Sequence, residues 1–408
     1  MNTTTHTQKW LTRTNMAVFC ALGMLVGFLS SRVMLTLFTM GFGIVGLWGV
    51  HPKKWFRDKW WLLGIGWILF YVISYLWTTD KHNWSYRFDV KLPILLLPLA
   101  FTLLPAFSKR QLTLFTVIAS AIFVVSAAYS LSFFIIDPAF YAEQYVYSHV
   151  LPTLAYGDHI RYSLAVALFI IWSVYYLPQI EHKGTRWWVI IAAIFLSVYL
   201  HILAARTGLV IWYLFVALWS LRLLFTHSLL KGIAVIALLV TGSALAVHYI
   251  PTLEKRVWYI KHTYQLYQKG DMASGYSDMG RLISYDIAIG KIKQNLLTGV
   301  GAGDMLTEMN SGYDAKYPDV PAEYRLLPHN QFLIVCLGCG IVAFALFMAW
   351  VCYPLGWVKR TRDGFFLFTV WLSLLLALLV EPMLEVQLGV FVYLFFLLWQ
   401  RHAMQTKQ

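Results

Sequence analysis

Long apolar runs separated by short polar segments make up most of this chain. A helix that spans a bilayer needs roughly 20 consecutive, mostly apolar residues, and twelve segments approach that length. The predicted spans are 14–30, 33–50, 60–78, 92–107, 111–136, 160–178, 187–204, 207–226, 231–249, 331–356, 364–380 and 387–400. Trp60/Trp61 and Trp187/Trp188 stand at span starts, as is typical of membrane interfaces. The pattern predicts an all-α polytopic membrane protein of about twelve helices.

Composition agrees with this reading and excludes several classes of function. Of the 408 residues, 59% are hydrophobic and only 12% are charged, about half the charged fraction of a soluble domain. The net charge of +13 lies in short loops, which indicates membrane topology and anionic lipid headgroups rather than nucleic acid. All four cysteines fall inside apolar spans, so we expect neither disulfides nor a metal site.

The distribution of Lys and Arg predicts how the chain is oriented. With the N-terminus inside, seventeen of these residues fall in inner segments and six in the short outer connections. Basic residues favour the cytoplasmic side, so both termini are predicted to be cytoplasmic. Residues 1–14 precede an apolar run without a cleavage site, which predicts a retained signal anchor.

This topology divides the chain into three parts. Residues 1–249 form spans one to nine, 250–330 form one large outer loop with amphipathic helices, and 331–408 form the last three spans and a short cytoplasmic tail. The loop contains "GVGAGD" (299–304), which we interpret as a turn rather than a nucleotide-binding loop because no strand precedes it.

Ionisable residues gather on the predicted outer side, near headgroup depth. They are Lys81, Arg87, Lys91, Asp158, His159, Arg161, Arg206, Arg281, His329, Glu381 and Glu385. Such one-sided clustering indicates a site that faces the outer compartment.

Arg206 is the most informative of these residues. Only Arg206, Thr207 and Gly208 interrupt about 40 mostly apolar residues, and an arginine inside a span costs about 2.5–3.5 kcal/mol on insertion scales. It is either a snorkelling arginine at a tight turn or an anion clamp, since guanidinium groups suit phosphate oxygens.

The other candidates each have two readings. His329 and Asn330 begin a long apolar run, where a helix cap and a reaction centre are both possible. Arg281 is a solvated arginine or an anion ligand at a helix start, and Arg161 is a phosphate contact or an interface anchor. Glu381 and Glu385 read as helix-end carboxylates rather than catalytic ones.

Three motifs in order resemble one family. Arg-Thr-Gly at 206–208, Gly-Arg at 280–281 followed by "GVGAGD", and His-Asn-x-Phe-Leu at 329–333 resemble the O-antigen ligase / O-antigen polymerase superfamily of bacterial inner-membrane glycan transferases. The family pattern often has Ser or Gly before the first arginine, where this chain has Ala204 and Ala205.

The resemblance implies an architecture like that of GT-C glycosyltransferases, with a large periplasmic loop before the last helices. It implies that the essential arginines are Arg206 and Arg281, that the essential histidine is His329, and that the donor glycan is carried on undecaprenyl pyrophosphate. Arg161, His159, Asn330, Lys81, Arg87 and Lys91 are expected to bind substrate. The arginines would stabilise the diphosphate leaving group, and a neutral His329 would orient the acceptor hydroxyl or take its proton.

Several functions remain open at this point. The outer segments contain no D-x-D pair, which predicts a metal-independent enzyme, and we expect no cofactor. The resemblance implies inversion at the anomeric carbon. The resemblance implies an O-antigen ligase whose acceptor is the lipid A core oligosaccharide; the alternatives are a repeat-unit polymerase and a protein O-oligosaccharyltransferase. A transporter or flippase would predict ionisable residues at the middle of several spans, which this chain does not show.

Overall fold

The computed structural model describes residues 12–49, 52–226, 229–268 and 277–405, and within these ranges the chain forms helices and no β-strand. Most of the polar leader of the predicted signal anchor (residues 1–11) lies outside these ranges, as do Lys9 and Lys407, on which the orientation partly depends.

Ten helices precede the predicted outer loop. They are α1 (Arg13–Ser30), α2 (Arg32–Leu47), α3 (Lys59–Ile73), α4 (Lys81–Leu103), α5 (Lys109–Ile136), α6 (Pro138–Gln144), α7 (His159–Tyr176), α8 (Lys183–Leu203), α9 (Arg206–Thr226) and α10 (Leu229–Tyr249). The segment 250–330, which we predict to be the outer loop and call the outer segment, contains α11 (Pro251–Gln268), α12 (Ser277–Gln294) and α13 (Met305–Lys316). The chain ends with α14 (Gln331–Cys352), α15 (Arg362–Val380) and α16 (Gln387–Gln405).

Nine helices in the described part of the chain are long and apolar enough to cross a membrane. They coincide with nine of the twelve predicted spans. The other three predictions fall on α2, a shorter apolar helix, and on α4 and α16, which are more polar. The all-helical, multi-pass class is therefore confirmed, and the count of twelve stays a prediction.

Burial separates the helices at the centre of the bundle from those at its edge. Helix α7 lies at the centre, and every side chain from Tyr162 to Ser173 is buried against neighbours that include α8, α9, α15 and α16. Helix α10, in contrast, exposes apolar side chains such as Leu238 (72%) and Val240 (63%). A fully exposed apolar helix is stable when lipid, not water, surrounds it.

Helix α4 differs from its prediction. The apolar pattern predicted a span from 92, but the helix begins at Lys81 and includes the polar residues between them. Asp80 caps its N-terminus by accepting a hydrogen bond from the Asn83 backbone N–H (2.9 Å). Pro93 and Pro98 lie inside the helix, where each removes one backbone hydrogen bond.

Helix α14 is interrupted near its middle, which its continuous apolar pattern did not predict. Gly340 has φ +79°, and the backbone groups freed by the break pair with the glycine-rich loop. The N–H groups of Val300 and Gly301 donate to the Leu337 and Gly338 carbonyls (2.8 and 3.1 Å), and Ile341 N–H donates to the Leu296 carbonyl (2.8 Å). The loop that we interpreted as a simple turn is thus fixed to α14.

The same loop is fixed to the start of α4 by one carboxylate. Asp304 accepts hydrogen bonds from the Thr79 N–H (2.7 Å), the Thr79 hydroxyl (2.8 Å) and the Asp80 N–H (2.7 Å). Helix α13 follows Asp304 directly. These contacts set the position of the outer segment relative to the bundle.

We expect Gly340→Ala to destabilise the protein strongly. A Cβ atom there would lie 2.1 Å from the Leu297 carbonyl oxygen, in a backbone conformation that L side chains rarely adopt. Strain of this kind costs about 1–3 kcal/mol, and loss of the loop pairing adds to it. Thermal unfolding in detergent should show a lower Tm. Gly290→Ala on α12, where the Cβ would meet no neighbour, is the control; equal Tm values for the two variants would refute the argument.

Candidate active site

Three predicted site residues meet at a single carboxylate, that of Glu381. Arg281 Nη2 lies 2.7 Å from Oε1, His329 Nδ1 lies 3.2 Å from Oε2, and Arg161 Nη2 lies 3.7 Å from Oε2. The Glu381 side chain is 3% exposed, whereas those of Arg281 and His329 are about one quarter exposed. The cluster therefore has a buried acidic centre and basic groups that solvent or a ligand can reach.

Asn330 explains why His329 stands at the start of a helix. The Asn330 side-chain oxygen accepts hydrogen bonds from the Phe332 and Leu333 N–H groups (2.9 and 3.1 Å), which caps α14. Its amide nitrogen donates to the Leu379 carbonyl at the end of α15 (3.0 Å). Asn330 thereby holds His329 beside Glu381, which follows α15. The capping and reaction-centre readings are compatible, because the cap belongs to Asn330 and the imidazole is the adjacent residue.

Helix α12 holds the other side of the cluster. Arg281 and Tyr285 lie one turn apart on the same face, and the Tyr285 hydroxyl donates to the His329 carbonyl oxygen (2.7 Å). The helix that supplies the guanidinium group thus also fixes the backbone of the histidine.

The contact with Glu381 selects the tautomer of His329. A carboxylate only accepts hydrogen bonds, so Nδ1 carries the hydrogen that faces Glu381. In the neutral imidazole, Nε2 is then the acceptor. The contact resembles that between the carboxylate and histidine of hydrolase triads, where the carboxylate orients the ring and stabilises the imidazolium that forms.

Glu381 stays ionised in this environment. Burial by itself raises the pKa of Glu381, but the hydrogen bond and charge of His329 and the charges of Arg281 and Arg161 outweigh burial, so the net pKa lies below its ordinary value. The carboxylate keeps its negative charge at neutral pH.

Arg161 and His159 come from the start of α7. Asp158 caps this helix by accepting from the Arg161 N–H (3.1 Å), and its carboxylate also lies 3.2 Å from the Arg161 guanidinium. His159 is the first residue of this helix. A second cluster of basic residues is formed by α9 and α11.

That second cluster contains Arg206. Its guanidinium carbon lies 5.4 Å from the centre of the Tyr259 ring, and that of Arg256 lies 5.6 Å from the same centre. Both Tyr259 and Arg256 belong to α11 and are buried. Arg256 was not among the predicted site residues, because α11 read as an amphipathic helix on the interface.

The turn before Arg206 is unusually tight. Ala204 adopts φ +47° and ends α8, and α9 begins at Arg206. Gly208 N–H donates to Ser163 Oγ (3.2 Å), and a Cβ on Gly208 would lie 2.6 Å from the Ser163 Cβ. The small residues allow the start of α9 to pack on α7, which brings Arg206 to the end of the bundle where Arg161 lies.

Arg87 and Lys91 lie in a separate buried cluster. Both contact Glu385 Oε2 (2.8 and 2.9 Å), and Gln331 Nε2 donates to Oε1 (3.0 Å). Burial by itself raises the pKa of Glu385. The charges of Lys91 and Arg87 outweigh burial, so the pKa of Glu385 lies below its ordinary value. This cluster joins α4, α14 and the turn before α16. Substrate contact by Arg87 and Lys91 stays a prediction.

Lys81 belongs to neither cluster in the described structure. It is exposed, its Nζ contacts the Tyr75 carbonyl oxygen and it lies 3.9 Å from the Tyr75 ring centre. Its predicted role in substrate binding is likewise untested.

Comparison with known proteins agrees with the motifs. Residues 187–348 match the family described as O-Antigen ligase; this range includes Arg206, Arg281 and His329, whereas Arg161 and Glu381 lie outside it. No curated protein matches the chain. The family comprises ligases and polymerases that transfer lipid-linked glycans. The match covers residues 187–348 and supports the resemblance to the O-antigen ligase / O-antigen polymerase superfamily seen in the three motifs.

Proposed function

We propose that the protein is an O-antigen ligase of the bacterial inner membrane, with its site on the periplasmic side and both termini in the cytoplasm. It transfers a glycan from undecaprenyl pyrophosphate to a hydroxyl of the lipid A core oligosaccharide. The observation that carries the proposal is the convergence of Arg161, Arg281 and His329 on Glu381. The family match supports the class of reaction.

The arginines are suited to bind the diphosphate. The Nη atoms of Arg161 and Arg281 contact carboxylates. The Nε atom of each arginine is buried without a hydrogen-bond partner among the described residues. A buried hydrogen-bond donor without a partner costs free energy. Phosphate oxygens would accept hydrogen bonds from both Nε–H groups, and the guanidinium group suits such charged hydrogen bonds.

The reaction then follows from the tautomer of His329. The acceptor hydroxyl gives its proton to Nε2 as its oxygen bonds to the anomeric carbon from the face opposite the diphosphate. The anomeric C–O bond breaks, its electron pair goes to the diphosphate, and the configuration inverts. Arg281 and Arg161 stabilise the charge on the leaving group, and Glu381 stabilises the imidazolium. Arg206, together with Arg256, which packs on the same Tyr259 ring, holds the donor's outer phosphate or first sugar.

Deletion of the gene, followed by analysis of surface lipopolysaccharide, tests the proposal. Bare lipid A core with accumulated carrier-linked polymer is the expected result. Core capped by a single repeat would identify a polymerase instead, and normal lipopolysaccharide with unglycosylated proteins would identify a protein glycosyltransferase. Unchanged glycans in every fraction would refute a transferase and favour a transporter.

We expect transfer by the purified protein to persist in EDTA. The prediction rests on the arginines, which compensate the diphosphate charge in place of a divalent ion. The measurement is glycan transfer from a purified donor with and without EDTA. A rate that falls in EDTA and recovers when Mg²⁺ or Mn²⁺ is added would contradict it.

A further inference from the structure

The last two carbonyl groups of α8, just before the turn to Arg206, are held by side chains from other parts of the chain. The Tyr145 hydroxyl donates to the Leu203 carbonyl oxygen (2.7 Å). The Thr252 hydroxyl, from α11, donates to the Ile202 carbonyl oxygen (2.6 Å). Carbonyl groups at the end of a helix have no partner within it, and both hydroxyl donors belong to fully buried residues. These two hydrogen bonds fix the place at which α9 begins.

The segment that carries Tyr145 also reaches the second arginine of this cluster. Tyr145–Tyr147 form a short 3₁₀ helix directly after α6, and Ser148 ends it. Ser148 Oγ accepts a hydrogen bond from Arg256 Nη1 (3.3 Å). One short segment between α6 and α7 therefore contacts both the α8–α9 turn and the Arg256 guanidinium.

Ser148 is held in a backbone conformation that favours glycine. Its φ is +64°, and a residue with a side chain is uncommon in this region. Such strain costs free energy and is found most often at functional sites, where the surroundings impose it. A glycine at this position would avoid the strain, but it has no hydroxyl group for Arg256. The serine is therefore suited to a hydrogen-bonding role at the expense of local stability.

We propose that Tyr145 and Ser148 are positioning residues for donor binding: Tyr145 sets the position of Arg206, and Ser148 sets that of Arg256. The proposal rests on the proposed function, in which these two arginines hold the donor's outer phosphate or first sugar. Tyr145 acts through the backbone of the turn, because its hydroxyl is fully engaged inside the protein. A guanidinium group binds a phosphate well only when its planar fork is correctly oriented, so support of the backbone beneath it affects the affinity for the donor.

Tyr145→Phe tests the first half of the proposal. The variant lacks one oxygen atom, so the Leu203 carbonyl and the Leu151 N–H both lose their partner. We expect the KM for the undecaprenyl-linked donor to rise about tenfold, because a small displacement of a binding group has effects of at least this size. The KM for the acceptor should not change. A loss of folded protein would lower the apparent kcat and leave KM unaltered, so the donor KM separates positioning from general damage.

Tyr176→Phe is the matched control. Tyr176 is also fully buried; its hydroxyl donates to the Lys109 carbonyl oxygen (2.8 Å) and lies 3.1 Å from Thr113 Oγ1. We expect Tyr176→Phe to lower the Tm about as much as Tyr145→Phe does and to leave the donor KM unchanged. A donor KM for Tyr145→Phe no higher than that for Tyr176→Phe would overturn the role of Tyr145.

Ser148→Gly tests the second half. The variant relieves the backbone strain and removes the hydroxyl group, so we expect a Tm that is equal or higher together with a donor KM raised about fivefold. Ala155→Gly is the control, since Ala155 also has a positive φ (+62°) and its N–H donates to the Leu29 carbonyl oxygen (2.8 Å). It should leave the donor KM unchanged. An unchanged donor KM in Ser148→Gly would overturn the role of Ser148.

Hydrogen exchange of the full-length protein provides a readout that requires neither donor nor acceptor. The backbone amides of residues 206–209 should exchange faster in Tyr145→Phe than in Tyr176→Phe, because only the first variant removes support from the turn. Equal exchange in the two variants would contradict the proposal. If Arg206→Ala abolishes transfer while Tyr145→Phe changes neither exchange nor the donor KM, the positioning role is wrong and the proposed function stands. If exchange rises as expected but the unmodified protein transfers no undecaprenyl-linked glycan, the proposed function is wrong and the support of the turn by Tyr145 stands.

Discussion

Replacing Glu381 by glutamine is expected to lower the rate of glycan transfer by about 10²–10⁴-fold. The amide keeps the shape of the side chain but removes the charge that pairs with Arg281 and Arg161, and it no longer selects one tautomer of His329. The measurement is transfer from a purified undecaprenyl-linked donor, at matched protein levels and matched Tm.

Two further variants separate this effect from general damage. Glu381→Asp keeps the charge with a shorter reach and should recover part of the rate. Glu323→Gln changes an exposed carboxylate of the segment 250–330 and should leave the rate unchanged. A rate for Glu381→Gln close to that of the unmodified protein would remove the carboxylate from the mechanism.

Arg281→Ala is expected to lower transfer by about 10²–10³-fold, the size of effect seen when one donor to a developing negative charge is removed. Arg281→Lys should recover little, because an ammonium group cannot reproduce the planar fork that contacts Glu381 and that we propose also binds a phosphate. Arg206→Ala and His329→Ala should also abolish measurable transfer while leaving the protein in the membrane.

Arg325→Ala is the matched control for Arg281. Its guanidinium pairs with Asp314 (2.7 Å) in the same outer segment, so its loss should affect the rate little. The double variant Arg281→Ala/Glu381→Gln should lose clearly less transfer activity than the two single effects predict together, because the two residues contact each other. Full additivity would mean that they act at separate places.

The helices were largely predictable because a bilayer leaves the backbone few alternatives. The apolar runs located α7, α14 and α15 within a few residues. The helix predictions were wrong where a distant residue stabilises a local feature that would otherwise be unfavourable. Helix α4 extends through Arg87 and Lys91 because Glu385, almost 300 residues away, neutralises them. The break in α14 at Gly340 depends on backbone partners from the glycine-rich loop, which no local pattern reveals.

The sequence singled out the basic residues that the structure brings together, but it did not show that Glu381 is their common partner. Arg161, Arg281 and His329 stood out as polar groups beside apolar spans on one predicted side. Glu381 stood out equally, in "VEPMLE", but was interpreted as a helix-end carboxylate. It does end α15. Its three partners come from α7, from α12 and from the residue before the α14 cap, and pairing across that many elements becomes visible only when the chain is folded.

The double attachment of the glycine-rich loop limits how this protein can be engineered. Asp304 binds the backbone ahead of α4, and residues 296–301 pair with α14, so residues 250–330 are not a transplantable module. A chimera that imports this segment from a relative must also import the matching turn at 78–80 and the first half of α14. Recombination in nature would meet the same restriction, and crossover points within the family should avoid separating these three pieces.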